Sequence, residues 1–182
     1  RDRNYDGTYS GEVPMYQALA QSLNLPAVWT LHEIGLDRGY KKTQEFGLTL
    51  SESDKYWGLA LGGLETGESP LTMAAAYGVF ASGGYYYQPH LITKIVDSTG
   101  AVIVDNTSVK GKQVISKETA DKMTSMMLGT FSNGTGVSAS PYGFTIAGKT
   151  GTTETNFDLS KVNDQWIVGY TPDLVILSLI HI

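Results

Sequence analysis

The 182-residue sequence contains no cysteine, so it has no disulfide framework and no thiolate ligand for a metal. Histidine is scarce as well: His32, His90 and His181 lie far apart in the chain, and no metal or other cofactor is expected. Positive charge is thin. Thirteen Lys and Arg are scattered among eighteen Asp and Glu, and the net charge of −5 offers nucleic acid no basic stripe, so no nucleic-acid partner is expected. There is no uninterrupted apolar run of membrane length and no signal-peptide pattern, so the chain as given reads as soluble, with any membrane attachment made through an upstream anchor outside it. What is present is ordinary globular composition, 41% hydrophobic and 17% charged, enough for one domain with its own core.

Arg1 to Glu12, rich in Tyr, Asp, Gly and Ser, reads as an extended or looped start. Met15 to Gln21 reads as a helix that breaks at Ser22-Leu23-Asn24-Leu25-Pro26, because the residue before a proline is pushed out of the helical region and Pro26 suits the first turn of a new helix. Ala27 to Ile34 supplies that helix, and Arg38 to Phe46 a further short one that Gly47 ends. A polar linker, Thr49 to Lys55, and a glycine-rich stretch, Gly58 to Gly67, lead to Ser69-Pro70. Serine before proline is an N-cap with a fixed first φ, and it predicts a helix over Leu71 to Ala81, stopped by Ser82-Gly83-Gly84.

Leu91 to Val96 and Ala101 to Val104 form a predicted hairpin around Asp97-Ser98-Thr99-Gly100. Ser116 caps another helix, with Met123, Met126 and Met127 toward its buried side as core filler. Asp164 to Tyr170 and Leu174 to Ile180 read as two strands joined at Thr171-Pro172-Asp173. Helices come first, then mostly hairpin-linked strands with one helix between, and no internal repeat is present. That order predicts an α+β fold with an antiparallel sheet packed with helices rather than a doubly wound parallel one.

The most informative stretch runs from Tyr142 to Thr155, Y-G-F-T-I-A-G-K-T-G-T-T-E-T. Phe144 and Ile146 alternate with Thr145 and Ala147, which predicts a half-buried strand leading to Lys149 at its tip. Lys149-Thr150-Gly151-Thr152 then offers a cation, two hydroxyls and a residue without a Cβ, a cradle for an anion or an amide. Gly143 to Thr150 also fits the phosphate-loop pattern G-x-x-x-x-G-K-T, but that motif needs a strand before its first glycine and a helix after its lysine. Here the strand-like residues lie inside the motif and Gly151-Thr152-Thr153 is a poor helix start, so a nucleotide site is not expected.

A second polar cluster, Ser22 with Asn24, sits at the helix break. Taken alone it has the composition of a local helix cap. Taken in order, Ser22-x-Asn24 followed by Lys149-Thr150-Gly151 matches two of the three boxes of penicillin-binding proteins and serine β-lactamases, the third being Ser-x-x-Lys. Longer stretches carry the likeness further: Q-S-L-N-L-P-A-V at 21–28, L-G-G-L-E-T-G-E-S-P-L-T-M-A-A-A-Y at 61–77, G-T-G at 134–136, A-G-K-T-G-T-T at 147–153 and D-Q-W-I-V-G-Y-T-P at 164–172. Nearly the whole chain resembles the transpeptidase domain of a class A, bifunctional penicillin-binding protein.

The resemblance implies acyl transfer in peptidoglycan cross-linking on the extracytoplasmic face of the cell membrane. A serine attacks a D-Ala-D-Ala stem peptide, expels the last D-Ala and passes the acyl group to a neighbouring amine, and β-lactam antibiotics acylate the same serine. It also implies roles. Ser22 would relay a proton, and Asn24 would hydrogen-bond the substrate backbone or the nucleophile's lysine, both pointing to one side of an extended segment. Lys149 would set a positive potential and orient Ser22. The Thr150 and Thr152 hydroxyls would hold the substrate carboxylate, the Thr152 amide would complete an oxyanion hole, and Gly151 would keep the strand edge open for the substrate. A D,D-carboxypeptidase, a serine β-lactamase and a non-catalytic module of the same fold share these boxes.

The chain departs from the pattern in two places. None of its ten lysines has a serine three positions before it, so the Ser-x-x-Lys nucleophile box is missing. Leu177 to Ile182 also matches nothing expected of the family. The resulting expectation is a partial domain over 1–176 with a tail of 177–182 that does not match the family and is left out of the fold reading, incomplete at both ends, exposing apolar surface, marginally stable and unable to form an acyl-enzyme by itself. Other features have plainer readings. Tyr85-Tyr86-Tyr87 reads as packing rather than a sugar platform. Glu65 and Glu68 read as loop residues, and the sequons at Asn106 and Asn133 match by pattern only.

Overall fold

The computed structural model describes residues 4–154 and 161–181; Arg1, Thr155 and Ile182 of the stretches read above lie outside them. The chain opens in turns and then forms three helices, α1 (Met15–Ala20), α2 (Asn24–Ile34) and α3 (Leu36–Glu45). Pro26 falls in the first turn of α2, where its missing N–H leaves no helical hydrogen bond unmade. A short 3₁₀ turn, Trp57–Leu61, occupies part of the glycine-rich stretch.

Helix α4 (Pro70–Ala81) begins as its sequence dictates: the Thr72 N–H donates to the Ser69 hydroxyl at 3.1 Å and Pro70 fixes the first helical φ. Ser116 caps α5 (Lys117–Ser132) in the same way, accepting from the Thr119 N–H at 3.1 Å. Between them, β1 (Tyr85–Tyr86) pairs antiparallel with β4 (Lys112–Gln113), and β2 (Lys94–Val96) with β3 (Val102–Asp105). The β2–β3 turn is closed by Asp97, whose carboxylate accepts from the Thr99 and Ala101 N–H groups. The Tyr86 ring lies against Gly47 and the Tyr87 ring against Gly111, in keeping with the packing reading of the tyrosine run.

The main sheet has the order β5–β6–β7, all antiparallel: β5 (Ala147–Glu154), β6 (Val162–Tyr170) and β7 (Val175–His181). Its inner face meets α4 and α5. Met127, Ala147 and Tyr170 are buried at the centre, with Leu19, Tyr77, Phe80, Met123 and Val175 packed around them. Tyr170 also accepts or donates a hydrogen bond with Thr124 at 2.8 Å, so the phenol is paired despite its burial. Ile176 and Ile180 point to the other face and stay 62% and 57% exposed, an apolar strip of the kind the sequence leads one to expect.

Three expectations need correction. Phe144 and Ile146 are not strand residues: Gly143 turns the backbone at φ +78°, Phe144 is 73% exposed, and the pairing with β6 starts only at Ala147↔Tyr170. Alternation without a partner strand does not make a ladder. Lys149 is consequently inside β5, not at its tip, and it is followed by strand through Glu154 where a phosphate loop needs a helix. Finally, the described part of the tail belongs to the fold, since Leu177–His181 completes β7 and pairs with Asp164–Val168 of β6.

Candidate active site

Ser22 is placed by the way α1 ends. The Ser22 N–H donates to the Leu19 carbonyl at 3.1 Å and the Leu23 N–H to the Ala18 carbonyl at 3.0 Å. This pair of bonds is the Schellman stop, whose penultimate position requires a left-handed backbone and is usually glycine. Here Ser22 takes it, at φ 55°, the single described non-glycine residue with positive φ. The extended segment expected for Ser22 and Asn24 is therefore replaced by a left-handed turn running directly into α2, of which Asn24 is the first residue. Nor does the Ser22 hydroxyl act as the cap that composition suggests. The N-cap position of α2 is Leu23, which has no polar side chain to offer.

The hydroxyl is turned instead toward β5. The Lys149 ammonium donates to the Ser22 hydroxyl at 2.6 Å and to the Thr150 carbonyl at 3.0 Å. Burial pushes the Lys149 pKa down to about 8, because a partly desolvated ammonium has only these neutral oxygens to replace water. Such an amine can carry or release a proton near neutral pH, and the hydroxyl beside it can pass that proton on.

A residue not assigned from the sequence completes the arrangement. After α5 the chain returns through Gly134-Thr135-Gly136, and the Thr135 N–H donates to the Ala20 carbonyl at 3.1 Å, at the end of the helix that presents Ser22. Gly134 is required for this approach, since a Cβ there would fall 2.2 Å from the Ala20 oxygen. The Thr135 hydroxyl meets that of Thr150 at 2.5 Å. The G-T-G stretch was visible in the sequence, but nothing local distinguishes it from any other turn.

Ser22, Asn24, Thr135, Thr150, Gly151 and Thr152 all line one groove of about 690 Å³. A larger hollow of about 1070 Å³ adjoins it on the other side of β5, shares Thr150, Gly151 and Thr152, and is walled by Lys149, Met73, Tyr77 and Leu177. The Lys149–Ser22 bond thus spans the boundary between the two. All six residues singled out from the sequence are brought to this region. Gly151 stands opposite Trp166 in the register, and a Cβ added to it would lie 3.3 Å from the Trp166 Cβ, so the missing side chain eases cross-strand packing as well as access. On its other side β5 has no strand partner among the described residues, leaving an edge open beside the groove.

Comparisons with known proteins identify the family. The family model for the penicillin binding protein transpeptidase domain matches residues 1–180, a span that takes in most of the tail from Leu177. The chain is 51% identical over 175 residues to penicillin-binding protein 2a of Streptococcus pneumoniae, covering 95% of this chain and 24% of that protein, so it spans about a quarter of the relative's length. It superposes on penicillin-binding protein 1A from Haemophilus influenzae with a TM-score of 0.80 and 25% identity, over 98% of this chain and 31% of that one. The PonA1 protein of Mycobacterium tuberculosis in complex with penicillin V gives a TM-score of 0.77 at 28% identity, over 97% and 49%. By fold and by sequence over nearly its whole length, this chain belongs to the penicillin-binding protein transpeptidase domain family.

Proposed function

We propose that these residues form the non-nucleophilic half of a peptidoglycan D,D-transpeptidase site. The observation that carries this reading is the 2.6 Å contact between Lys149 and Ser22, which joins the two boxes across the groove. A serine from a Ser-x-x-Lys segment outside this chain attacks the carbonyl of the penultimate D-Ala of a stem peptide. The attacking serine gives its proton to the lysine of that segment, and as the peptide C–N bond breaks Ser22 relays the proton from that lysine to the departing D-Ala amine, while Lys149 orients the Ser22 hydroxyl and lends positive potential. A second strand's amine then attacks the acyl-enzyme and frees the serine. Asn24 holds the substrate backbone or the nucleophile's lysine, and the Thr150 and Thr152 hydroxyls receive the substrate's terminal carboxylate.

Strand geometry supports placing the oxyanion donor at Thr152. A residue's N–H and C=O point to the same side of a strand and alternate along it. A Thr150 carbonyl within reach of Lys149 lies on the open edge, and Thr152, two residues on, aims its N–H to that same edge. β-Lactams, whose ring amide resembles the scissile bond, occupy the same groove, as supported by the penicillin V complex of the mycobacterial relative. No described helix is long and apolar enough to cross a membrane, and in this reading the domain works at the extracytoplasmic face, where its substrate lies, held by an upstream anchor.

The absence of a Ser-x-x-Lys box within these residues favours a second reading, a non-catalytic peptidoglycan- or β-lactam-binding module of the same fold. Full-length protein separates the two. Fluorescent penicillin should label a serine encoded upstream, and a D-Ala-D-Ala donor should release D-Ala with formation of a cross-linked product. Reversible binding without a covalent adduct supports the binding module. A covalent adduct on the 182 residues alone would remove the upstream nucleophile from the scheme. A related β-lactamase or D,D-carboxypeptidase would instead hydrolyse its acyl-enzyme quickly and form no cross-link.

A further inference from the structure

Asn4 lies outside the stretches that carry the family likeness above, yet it is 5% exposed and its carboxamide is used at both ends. Its Nδ2 donates to the Thr8 carbonyl at 2.9 Å, inside a turn that the Gly7 N–H closes onto the Asn4 carbonyl and that Asp6 tightens through the Thr8 N–H and hydroxyl. Its Oδ1 accepts from the Leu25 N–H at 3.2 Å, twenty-one positions along the chain. Leu25 is the second residue of α2, where an N–H has no carbonyl of its own helix to meet. A side-chain oxygen at that point does the work of an N-cap, and Leu23, in the cap position, has none.

From this geometry we infer that Asn4 is a positioning residue for the transpeptidase site: it caps α2 from a distance and so holds the turn carrying Ser22 and Asn24 in place opposite Lys149. The inference rests on the reading of that site given above. Ser22 sits in a left-handed conformation between two helices, and α1 fixes only its upstream side. The Leu25 N–H is the nearest downstream point at which the turn is tied to the rest of the molecule by Asn4. If that tie is cut, the first turn of α2 can shift, and the Ser22 hydroxyl moves relative to an ammonium whose reach is fixed by β5. Displacements of about an ångström cost a reacting group up to about a hundredfold in rate.

The test uses the full-length protein, with three substitutions and two readouts. Asn4→Ala removes both arms of the carboxamide, and we expect acylation by a fluorescent penicillin to slow by about ten- to a hundredfold. Asn4→Asp keeps an oxygen for the Leu25 N–H at a helix N-terminus that favours negative charge but loses the donor to the Thr8 carbonyl, so it should recover part of the rate. Ser116→Ala removes an ordinary cap from α5, away from the groove, and should lower Tm without slowing acylation. Equal slowing in Ser116→Ala, or an Asn4→Asp as slow as Asn4→Ala, would overturn the inference.

The second readout is hydrogen exchange at the Leu25 amide, which Asn4→Ala should accelerate whether or not the protein is acylated. Unchanged exchange sinks the positioning role even if the enzyme reading stands. If the amide responds but wild-type protein takes up no penicillin, the capping is real and the enzymatic reading is what fails.

Discussion

The Lys149 ammonium and the Ser22 hydroxyl, 127 positions apart in sequence, meet at 2.6 Å. One comes from the interior of a strand, the other from a left-handed turn between two helices, and the groove exists because these two elements face each other. Removing the ammonium should therefore disable the relay without disturbing either element. In full-length protein we expect Lys149→Ala to slow penicillin acylation by about a hundredfold or more, the scale of one oriented electrostatic group. A rate near that of wild type would take Lys149 out of the mechanism.

Ser22 offers a way to separate stability from activity. At φ 55° its side chain strains against the backbone, whereas glycine would sit there at no cost. Replacing it by glycine loses the hydroxyl but relieves the turn; replacing it by alanine loses the hydroxyl and keeps the strain. We expect both variants to lose acylation alike, and Ser22→Gly to be more stable than Ser22→Ala by about 1 kcal/mol. Paired thermal melts and acylation rates check this. Equal stability would mean that the left-handed turn relaxes in solution.

Lys149 should be visible by its titration. With the folded pKa near 8 and an unfolded value of 10.5, both states hold the proton below about pH 8, and the folded one bears the cost of a half-buried charge. Between the two values only the unfolded chain keeps the proton, so the Lys149 contribution to stability, read as the difference between wild type and Lys149→Met, rises with pH across that window and levels off above it. NMR of the lysine side chains should show one midpoint near 8. Lys149→Met keeps the stem and drops the amine, so that difference isolates the ammonium. A Lys149 midpoint near 10.5 would mean that the ammonium is fully hydrated.

Much of the fold was legible because its signals are local. Ser69-Pro70 and Ser116 start α4 and α5 through bonds to residues three positions away, so sequence spacing captures them. Strand limits are a different matter. The alternation at Phe144 and Ile146 looks like strand, but a ladder needs a partner, and β6 turns away after Tyr170. Leu177 to His181 reads as matching no family pattern, yet the strand read over Leu174 to Ile180 holds, because Asp164–Val168 supplies its partner. At the site, the five residues of the two boxes and the adjoining Thr152 could be named, but Thr135 and Asn4 could not. Each acts through contacts to distant segments, Thr135 to Ala20 and Thr150, and Asn4 to Leu25, and in sequence each reads as one more turn residue.

The loop beside the larger hollow rests on one buried carboxylate. Asp54 is 1% exposed and accepts from the Glu65 N–H at 2.7 Å, the Ser51 N–H at 2.8 Å and the Ser51 hydroxyl at 2.8 Å. Glu65 reaches back to Ser53, so the glycine-rich segment is stitched by acceptors onto a 3₁₀ turn over Glu52–Asp54, in agreement with Glu65 being a loop residue rather than half of a catalytic pair. The Glu65 N–H, and after it the Ser51 donors, hold the Asp54 carboxyl below its ordinary value of 3.8. A carboxylate depressed in the folded state contributes stability that is complete above the unfolded pKa and is lost as pH falls through the folded one. Asp54→Asn places an NH₂ among donors, so it should lower Tm at neutral pH and flatten the loss of stability on acidification. Asp6, Asp97 and Asp105, whose pKa values are also lowered, shape the acid response of both proteins equally. The difference between the wild-type and Asp54→Asn curves of Tm against pH therefore isolates Asp54. It should shrink steadily as the carboxyl protonates, and parallel curves from neutral pH down through the carboxylate range would show that this loop is anchored by something else.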